Sequence, residues 1–435
     1  MKYISVLGKS PSVSFREAVF QGLAPDGGLY VPENIPLLPL QLVADSETAD
    51  LPDVGCSVTS PFIGDIEPDV LQRTVRSALA FPIPLVKLQP NLYLLELFHG
   101  PTLAFKDVGA RFMAETLGFF LQKEKDHLTI LVATSGDTGS AVAHGFYGVP
   151  RIDVFILYPS GKISTLQEQQ MTTLGNNIHA VEVDGTFDDC QRLVKETFLT
   201  KQITMRKRVT TANSINVGRL IPQISYYFWG LVQLRHRFDI RDRPVYVVPS
   251  GNLGNLTAAM YARAMGAPIE RCVAATNVND VLPEFLRTGR IRPRPSVRTY
   301  SNAMDVGNPS NFARLQHLVG SDNALRAELE GFRVSDEETF REIRRTFDET
   351  GYILDPHTAV GMTVARKVQE DWHGPIVVPA TAHAAKFPEV INQALGQTIP
   401  LPPPLADAMG KQKQTTRIGP EMKQWMEVVL ADPVS

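Results

Sequence analysis

Cysteine is scarce in this chain, and long hydrophobic runs are missing. Only three cysteines occur among 435 residues, at Cys56, Cys190 and Cys272. They lie too far apart to form a Cys/His cluster with metal-ligand spacing, and they favour a reducing, cytosolic compartment. No run approaches the roughly 20 apolar residues of a membrane helix, and the N-terminus lacks the apolar core of a secretion signal. We therefore expect a cytoplasmic protein without a metal site or membrane contact.

A large excess of charge of either sign is also absent. Lysine and arginine total 43 and aspartate and glutamate total 46, so the net charge is -3. This balance argues against a basic surface for nucleic acid or anionic lipid. The arginine-rich stretch 287–298 is better explained as a solvated loop. The length predicts two or three domains.

The pattern of strands and helices indicates two α/β units behind an N-terminal cap. Residues 1–95 are rich in proline and glycine, which is typical of turns and short elements. From Leu128 onwards, β-rich runs such as "LTILVAT" and "RIDVFILYP" alternate with helical segments. The alternation resumes after a long apolar helix at 216–238, with "PVYVVPS", "CVAATN" and "PIVVPATAH" as strands. Such alternation predicts open, twisted, mostly parallel sheets of the α/β class.

The pattern predicts four parts of the chain. We expect an N-terminal cap at 1–95, a smaller α/β domain at 96–215, and a larger one at 216–400. The proline-rich stretch near residue 400 reads as a linker into a C-terminal tail, 401–435. Ligands of such sheets bind at the carboxyl ends of the strands, so we expect the binding residues in the turns that follow the strands.

One glycine-rich turn, "PSGNLGN", has the composition of a phosphate site. Gly251 and Gly254 let the backbone approach a ligand, and free N–H groups with Asn252 and Asn255 begin the following helix. The spacing matches neither a dinucleotide nor a nucleoside-triphosphate motif. Taken alone, an ordinary capped βα turn explains it equally well.

A second turn, "ATSGDTGSA", repeats this arrangement. Ser135, Asp137 and Thr138 offer hydroxyls, amides and a carboxylate at another strand-to-helix corner. These residue types are also preferred as plain helix N-caps. Two such turns in one chain favour a ligand with two anionic ends.

Lys106 follows three apolar residues in "HGPTLAFKDVGARF". A lysine in apolar surroundings has a lowered pKa and can attack an aldehyde, although most lysines are surface residues with a covered stem. Together with a phosphate turn, it indicates pyridoxal phosphate (PLP). Thr381, in "PATAHAAKFPEV", could bond the pyridine nitrogen of this cofactor, and a helix N-cap is the alternative.

These stretches together resemble the threonine synthases, PLP enzymes of the tryptophan-synthase-β fold (PLP fold type II). The likeness spans nearly the whole chain and rests on many ordered segments. They include "SFREAVFQGLAPDGGLYVPE", "ELFHGPTLAFKDVGARF", "ATSGDTGSA", "NSINVGRLIPQ", "SNAMDVGNPSNF", "LDPHTAVG" and "TAHAAKFPE". Val217 departs from the pattern, since an aromatic residue is expected there, which puts the contacts of that helix in doubt.

The resemblance implies a role for each candidate residue. Lys106 would hold PLP covalently and then move protons, and Thr381 would bond the pyridine nitrogen. The substrate, O-phospho-L-homoserine, would face Ser135, Asp137 and Thr138, with Lys162 and Arg219 as candidate cations for its phosphate. The cofactor phosphate would be held by Gly251, Asn252, Leu253, Gly254 and Asn255.

The implied reaction is γ-elimination of phosphate followed by addition of water, which gives L-threonine. Three alternatives remain open from the sequence: a phospho-lyase that releases 2-oxobutyrate, a serine or threonine dehydratase, and a catalytically inactive binding protein. The sequence does not decide between a monomer and a dimer.

Overall fold

Two sheets of mostly parallel strands organise this protein in a computed structural model, in which residues 1–40, 49–122 and 124–431 are described. A short two-stranded sheet lies at the N-terminus. The strands are β1 (Tyr3–Ser5), β2 (Tyr30–Pro32), β3 (Leu85–Gln89), β4 (Leu92–Glu96), β5 (Leu128–Ala133), β6 (Ile152–Pro159), β7 (Ile178–Val183), β8 (Arg208–Thr211), β9 (Val245–Pro249), β10 (Arg271–Thr276), β11 (Leu329–Arg333), β12 (Ile376–Ala380) and β13 (Thr416–Ile418).

Side-chain caps begin many of the helices. Ser14, Ser164, Thr186 and Ser335 each form a reciprocal capping box with the third helical residue. The helices are α1 (Phe15–Gln21), α2 (Leu51–Thr59), α3 (Pro68–Ala78), α4 (Lys106–Leu121), α5 (Asp137–Phe146), α6 (Thr165–Thr172), α7 (Phe187–Leu199), α8 (Lys201–Thr204), α9 (Val217–Leu220), α10 (Ile224–Phe238), α11 (Gly254–Ala264), α12 (Val281–Thr288), α13 (Phe312–Val319), α14 (Asp322–Glu328), α15 (Asp336–Thr350), α16 (Pro356–Asp371), α17 (Pro388–Leu395), α18 (Pro403–Met409) and α19 (Met422–Val429).

The two large sheets confirm the predicted fold class. The five-stranded sheet has the order β13-β7-β6-β5-β8, and every pair in it is parallel. The six-stranded sheet has the order β11-β10-β9-β12-β4-β3. Its only antiparallel pair is the one between β3 and β4 at its edge. Strands β5 and β9 are buried along their whole length, because helices cover both faces of a parallel sheet.

Strand membership crosses the predicted boundaries at two places. β3 lies within the expected cap at 1–95 and β4 crosses the end of that cap, yet both strands belong to the six-stranded sheet. β13, within the expected tail at 401–435, pairs with β7 in the five-stranded sheet. The four-part division itself stays a prediction.

Two smaller expectations were wrong, and proline explains both. The apolar stretch 216–238 is not one helix: a 3₁₀ turn at 221–223, containing Pro222, separates α9 from α10. The proline-rich stretch near 400 is not a plain linker, because Pro403 begins α18 at a position where its missing N–H costs nothing. Leu405 of α18 is fully buried against Leu103 and Leu166.

No helix in the described part of the chain is long and apolar enough to cross a membrane. None of the three cysteines forms a disulfide.

The C-terminal helix α19 is part of a hydrophobic core. The Trp425 side chain is fully buried beside the five-stranded sheet, with its ring centroid 5.7 Å from that of Phe155. Its indole N–H donates to Thr197 Oγ1 at 2.8 Å. The last segment therefore stabilises the sheet that carries β5 to β8.

We expect Trp425→Ala to destabilise the protein by about 3–5 kcal/mol, because it leaves a large cavity. The measurement is thermal unfolding followed by circular dichroism. Lys423→Ala, at an exposed position on the same helix, is the matched control and should change stability by less than about 0.5 kcal/mol. Equal melting temperatures for the Trp425 variant and the wild type would show that α19 does not stabilise this core.

Candidate active site

A short backbone bridge holds the segment before Lys106 against the end of β12. Ala104 and Ala382 form an isolated antiparallel bridge. The Phe105 N–H donates to the Thr381 carbonyl at 2.8 Å, and the His383 N–H donates to the Leu103 carbonyl at 3.0 Å. The residues around Lys106 (the Lys106 segment, 102–106) and the residues that follow β12 (the Thr381 corner, 381–383) are therefore held side by side. Lys106 and Thr381 are 275 residues apart in sequence.

The Lys106 amine lies in apolar and cationic surroundings. Lys106 is half-buried, and its Nζ is 4.5 Å from the centroid of the Phe105 ring. Burial and the nearby charge of Arg219 lower the pKa of Lys106 to about 8, while Asp137 acts in the opposite direction. The amine therefore loses its proton far more readily than an exposed lysine does.

Arg219 packs against the start of α4. It is buried, donates from Nη2 to the Lys106 carbonyl at 3.4 Å, and has no partner for Nε among the described residues. Burial lowers the pKa of Arg219 to about 10, which leaves it charged at neutral pH.

The predicted phosphate turn has the backbone shape that its sequence suggested. Gly251 is required by space, since a Cβ there would lie 2.6 Å from the Met304 Cα. Leu253 adopts a left-handed conformation (φ 61°) directly before α11, so the turn ends on the free N–H groups of a helix. The Asn252 side chain fixes the turn from outside, because it donates to Ser214 Oγ at 2.6 Å and accepts from the Ser310 N–H.

Asn255 is oriented by two buried tyrosines. Tyr226 and Tyr227 both direct their hydroxyls at Asn255 Oδ1, at 2.5 and 2.6 Å. With its oxygen occupied, Asn255 presents Nδ2, which is buried and has no hydrogen-bond partner within the described ranges. The result is an N–H donor aimed at a ligand.

Thr381 also carries a buried polar atom without a partner. Its Oγ1 makes no hydrogen bond to any described residue, whereas its N–H donates to Thr358 Oγ1 at 3.1 Å. Asp355 in turn accepts from the hydroxyl of Thr358 and from His357 Nδ1, the latter at 2.9 Å. This network at the start of α16 holds the Thr381 backbone in place.

The turn at 135–138, which we call the substrate-side turn, directs Asp137 towards the protein interior. Gly136 has a φ of 139°, a conformation that side chains rarely adopt, and α5 begins at the next residue. The Asp137 carboxylate is buried and accepts from Lys386 Nζ at 2.7 Å and from Gln167 Nε2 at 3.0 Å.

One cavity brings most of the predicted residues together. Lys106, Asp137, Thr138, Arg219, Thr381 and the five residues of the phosphate turn all line it. Ser135 is half-buried just outside the lining, and Lys162 is exposed in the turn after β6, away from the cavity. The lining also contains residues that were not singled out from the sequence: Phe105, Ser214, Gln223, Pro249, Ser250, Ala303, Met304 and His357.

These residues fit pyridoxal phosphate. An amine with a lowered pKa, an amide N–H donor beside a helix N-terminus and an unpartnered hydroxyl match the aldehyde, phosphate and pyridine nitrogen of that cofactor. Across the described residues, no group of three acidic, histidine or cysteine side chains could hold a metal ion.

Comparison with known proteins gives the class and then the family. The model of the pyridoxal-phosphate dependent enzymes matches residues 77–382, so this is a PLP enzyme of fold type II. Two further models, "Threonine synthase N terminus" and "Threonine synthase, C-terminal", match residues 2–79 and 358–429. The chain belongs to the threonine synthase family.

Relatives agree over almost the full length. The threonine synthase of Escherichia coli (strain K12) is 43% identical across 94% of each chain, and that of Haemophilus influenzae is 42% identical across 97%. The crystal structure of the Escherichia coli enzyme has a TM-score of 0.92 at 41% identity, covering 99% of both chains. A PLP-bound threonine synthase from Brucella melitensis has a TM-score of 0.91 at 36% identity, covering 99% of this chain and 98% of the other.

We expect covalent attachment of pyridoxal phosphate to the protein to accelerate as pH rises through about 8, because only the neutral lysine amine attacks the aldehyde. The measurement is borohydride trapping of apoprotein mixed with cofactor over a series of pH values. A rate still climbing steeply near the ordinary lysine pKa of about 10.4 would contradict the lowered pKa.

Proposed function

We propose that this protein converts O-phospho-L-homoserine and water to L-threonine and phosphate in the cytoplasm. The supporting observation is the meeting, in one cavity, of Lys106, the 251–255 turn, Thr381 and the 135–138 turn in a chain of the threonine synthase family. The three unpaired cysteines are consistent with a reducing compartment.

The cofactor-binding roles follow from the unpartnered groups. Lys106 Nζ would form the covalent link, the 251–255 backbone with Asn255 Nδ2 would bind the phosphate, and Thr381 Oγ1 would meet the pyridine nitrogen. Bound pyridoxal phosphate supplies an aldehyde for amines and an electron sink for carbon acids.

Lys106 is the proposed proton carrier. Its lowered pKa, about 8, allows Nζ to accept a proton at neutral pH and to give it back. Phe105, which lies against the amine, and the buried start of α4 keep bulk water away from it. We propose that Lys106 takes the proton from the substrate Cα and that the same amine serves the later proton transfer at Cβ.

The substrate carries two anionic groups, and the cavity offers donors for them. Thr138 and the free N–H groups at the start of α5 lie on one side, and the charged Arg219 lies near Lys106. We propose Arg219 as the cation for the substrate phosphate. Lys162 stays a weaker candidate, since its exposed position is outside the cavity lining.

Other PLP reactions share the fold. Maize serine racemase and a tomato threonine deaminase have TM-scores of 0.52 and 0.54, but at 16% and 15% identity this likeness shows the fold alone. Release of 2-oxobutyrate is therefore an outcome that the product assay must distinguish.

We expect purified protein incubated with O-phospho-L-homoserine to release phosphate and threonine in equal amounts, with little 2-oxobutyrate. Lys106→Ala should lose covalent cofactor and lower turnover by at least about 10²- to 10⁴-fold, because the proton carrier is gone. The matched control is Lys87→Ala, an exposed lysine of β3, which should keep normal turnover. Phosphate with 2-oxobutyrate in place of threonine would identify a phospho-lyase and overturn the proposal.

We expect Asn255→Ala to weaken pyridoxal phosphate binding by about 10- to 150-fold, the cost of one hydrogen bond to a charged group. Equilibrium dialysis of the cofactor against apoprotein measures this. Asn392→Ala, at an exposed position on α17, is the control. Unchanged affinity in the Asn255 variant would place the cofactor phosphate elsewhere.

A further inference from the structure

Lys386 is a fully buried lysine with no exposed atoms of its side chain. It follows the Thr381 corner, in the 3₁₀ turn 384–386. Nζ donates to the Thr102 carbonyl at 2.7 Å and pairs with Asp137 Oδ1 at 2.7 Å. Burying an ammonium group is costly unless a carboxylate and further acceptors surround it, and here both are present.

The ion pair connects three separate parts of the site. Asp137 begins α5 on the substrate-side turn, Thr102 belongs to the Lys106 segment, and Lys386 follows the Thr381 corner. Gln167, from α6, adds a second donor to the same carboxylate. The pair is therefore placed where the cavity walls meet, whereas the other lysine ion pairs of the described chain involve partly exposed lysines.

Asp137 presents an electrostatic problem for an anionic ligand. Its carboxylate lines a cavity whose proposed substrate carries a carboxylate and a phosphate, and like charges at close range in a buried site repel strongly. Burial by itself would raise the pKa of Asp137, but the charge of Lys386, a smaller contribution from His357 and the hydrogen bonds from Lys386 and Gln167 hold that pKa below its ordinary value. Asp137 is therefore ionised, and its charge must be compensated.

We propose that Lys386 is a positioning residue for substrate binding: it neutralises the Asp137 carboxylate at the cavity wall and holds it in place, so that the N–H groups at the start of α5 can receive an anion. This inference rests on the proposed function. A role in substrate binding also explains why Lys386 and Asp137 form a buried ion pair, since apolar side chains at such a position often give equal or better stability.

The test is a double-mutant cycle on the KM for O-phospho-L-homoserine at about pH 8, where a freed carboxylate is ionised. Lys386→Met should raise KM by at least about tenfold, because Asp137 then repels the substrate. In an Asp137→Asn background, which has no charge to neutralise, the same Lys386 substitution should raise KM by less than about threefold. Inhibition by inorganic phosphate should weaken in parallel, whereas the cofactor content should stay at one per chain.

The control variant is Lys367→Met, which removes the partly exposed ion pair between Lys367 Nζ on α16 and Glu338 Oε1 on α15 (3.2 Å). It should leave KM within about twofold, as expected for a surface pair. A role limited to folding would lower the melting temperature of the Lys386 variant without changing its KM or its inhibition by phosphate.

Two results would overturn the inference: a KM for Lys386→Met within twofold of wild type, or an equal rise in both backgrounds. If Lys386→Met alone does not fold, the comparison within the Asp137→Asn background decides, and a tenfold rise there contradicts the proposal. Failure of the proposed function is separate, because the wild-type protein would then not release threonine at all.

Discussion

The antiparallel bridge between residues 103–105 and 381–383 is the interaction on which the site depends. It is only two backbone hydrogen bonds long, from the Phe105 N–H and the His383 N–H, yet it joins the start of α4 to the end of β12. It sets Lys106 beside Thr381, and the bond from Lys386 Nζ to the Thr102 carbonyl ties the same two segments together. Phe105 and His383 each stand directly before a helical segment, where no preceding helical turn offers a carbonyl to their N–H groups.

Around this bridge, the protein keeps several polar groups ready for a ligand. Asn255 Nδ2 and Thr381 Oγ1 are buried without partners among the described residues, which is unfavourable unless a ligand bonds to them. The groups behind them are satisfied, through Tyr226 on one side and Thr358 on the other. Rigid support behind free donors is how a binding site is organised before its ligand arrives. Lys386 acts in a similar way, because it compensates the charge of Asp137 so that an anionic substrate can enter.

Much of the fold could be predicted because each strand is a short apolar run followed by a turn of distinct chemistry. The strands after Leu128, the turn at 251–255 and the partly apolar surroundings of Lys106 were readable in this way. Pairings between distant segments were not: nothing in the local pattern shows that β13 joins β7, or that β3 and β4 join β12. Lys386 was missed for the same reason, since its partner Asp137 is 249 residues away in sequence. His357 sits in a readable motif, but its place in the cavity comes from how α16 packs.

We propose that Lys106, the 251–255 turn and Thr381 hold one molecule of pyridoxal phosphate. A crystal structure of the protein with bound cofactor tests this most directly. We expect continuous density from Lys106 Nζ to the cofactor, its phosphate within hydrogen-bond distance of Asn255 Nδ2, and Thr381 Oγ1 at the pyridine nitrogen. Density joined to a different lysine, or a cofactor phosphate away from the 251–255 turn, would contradict it.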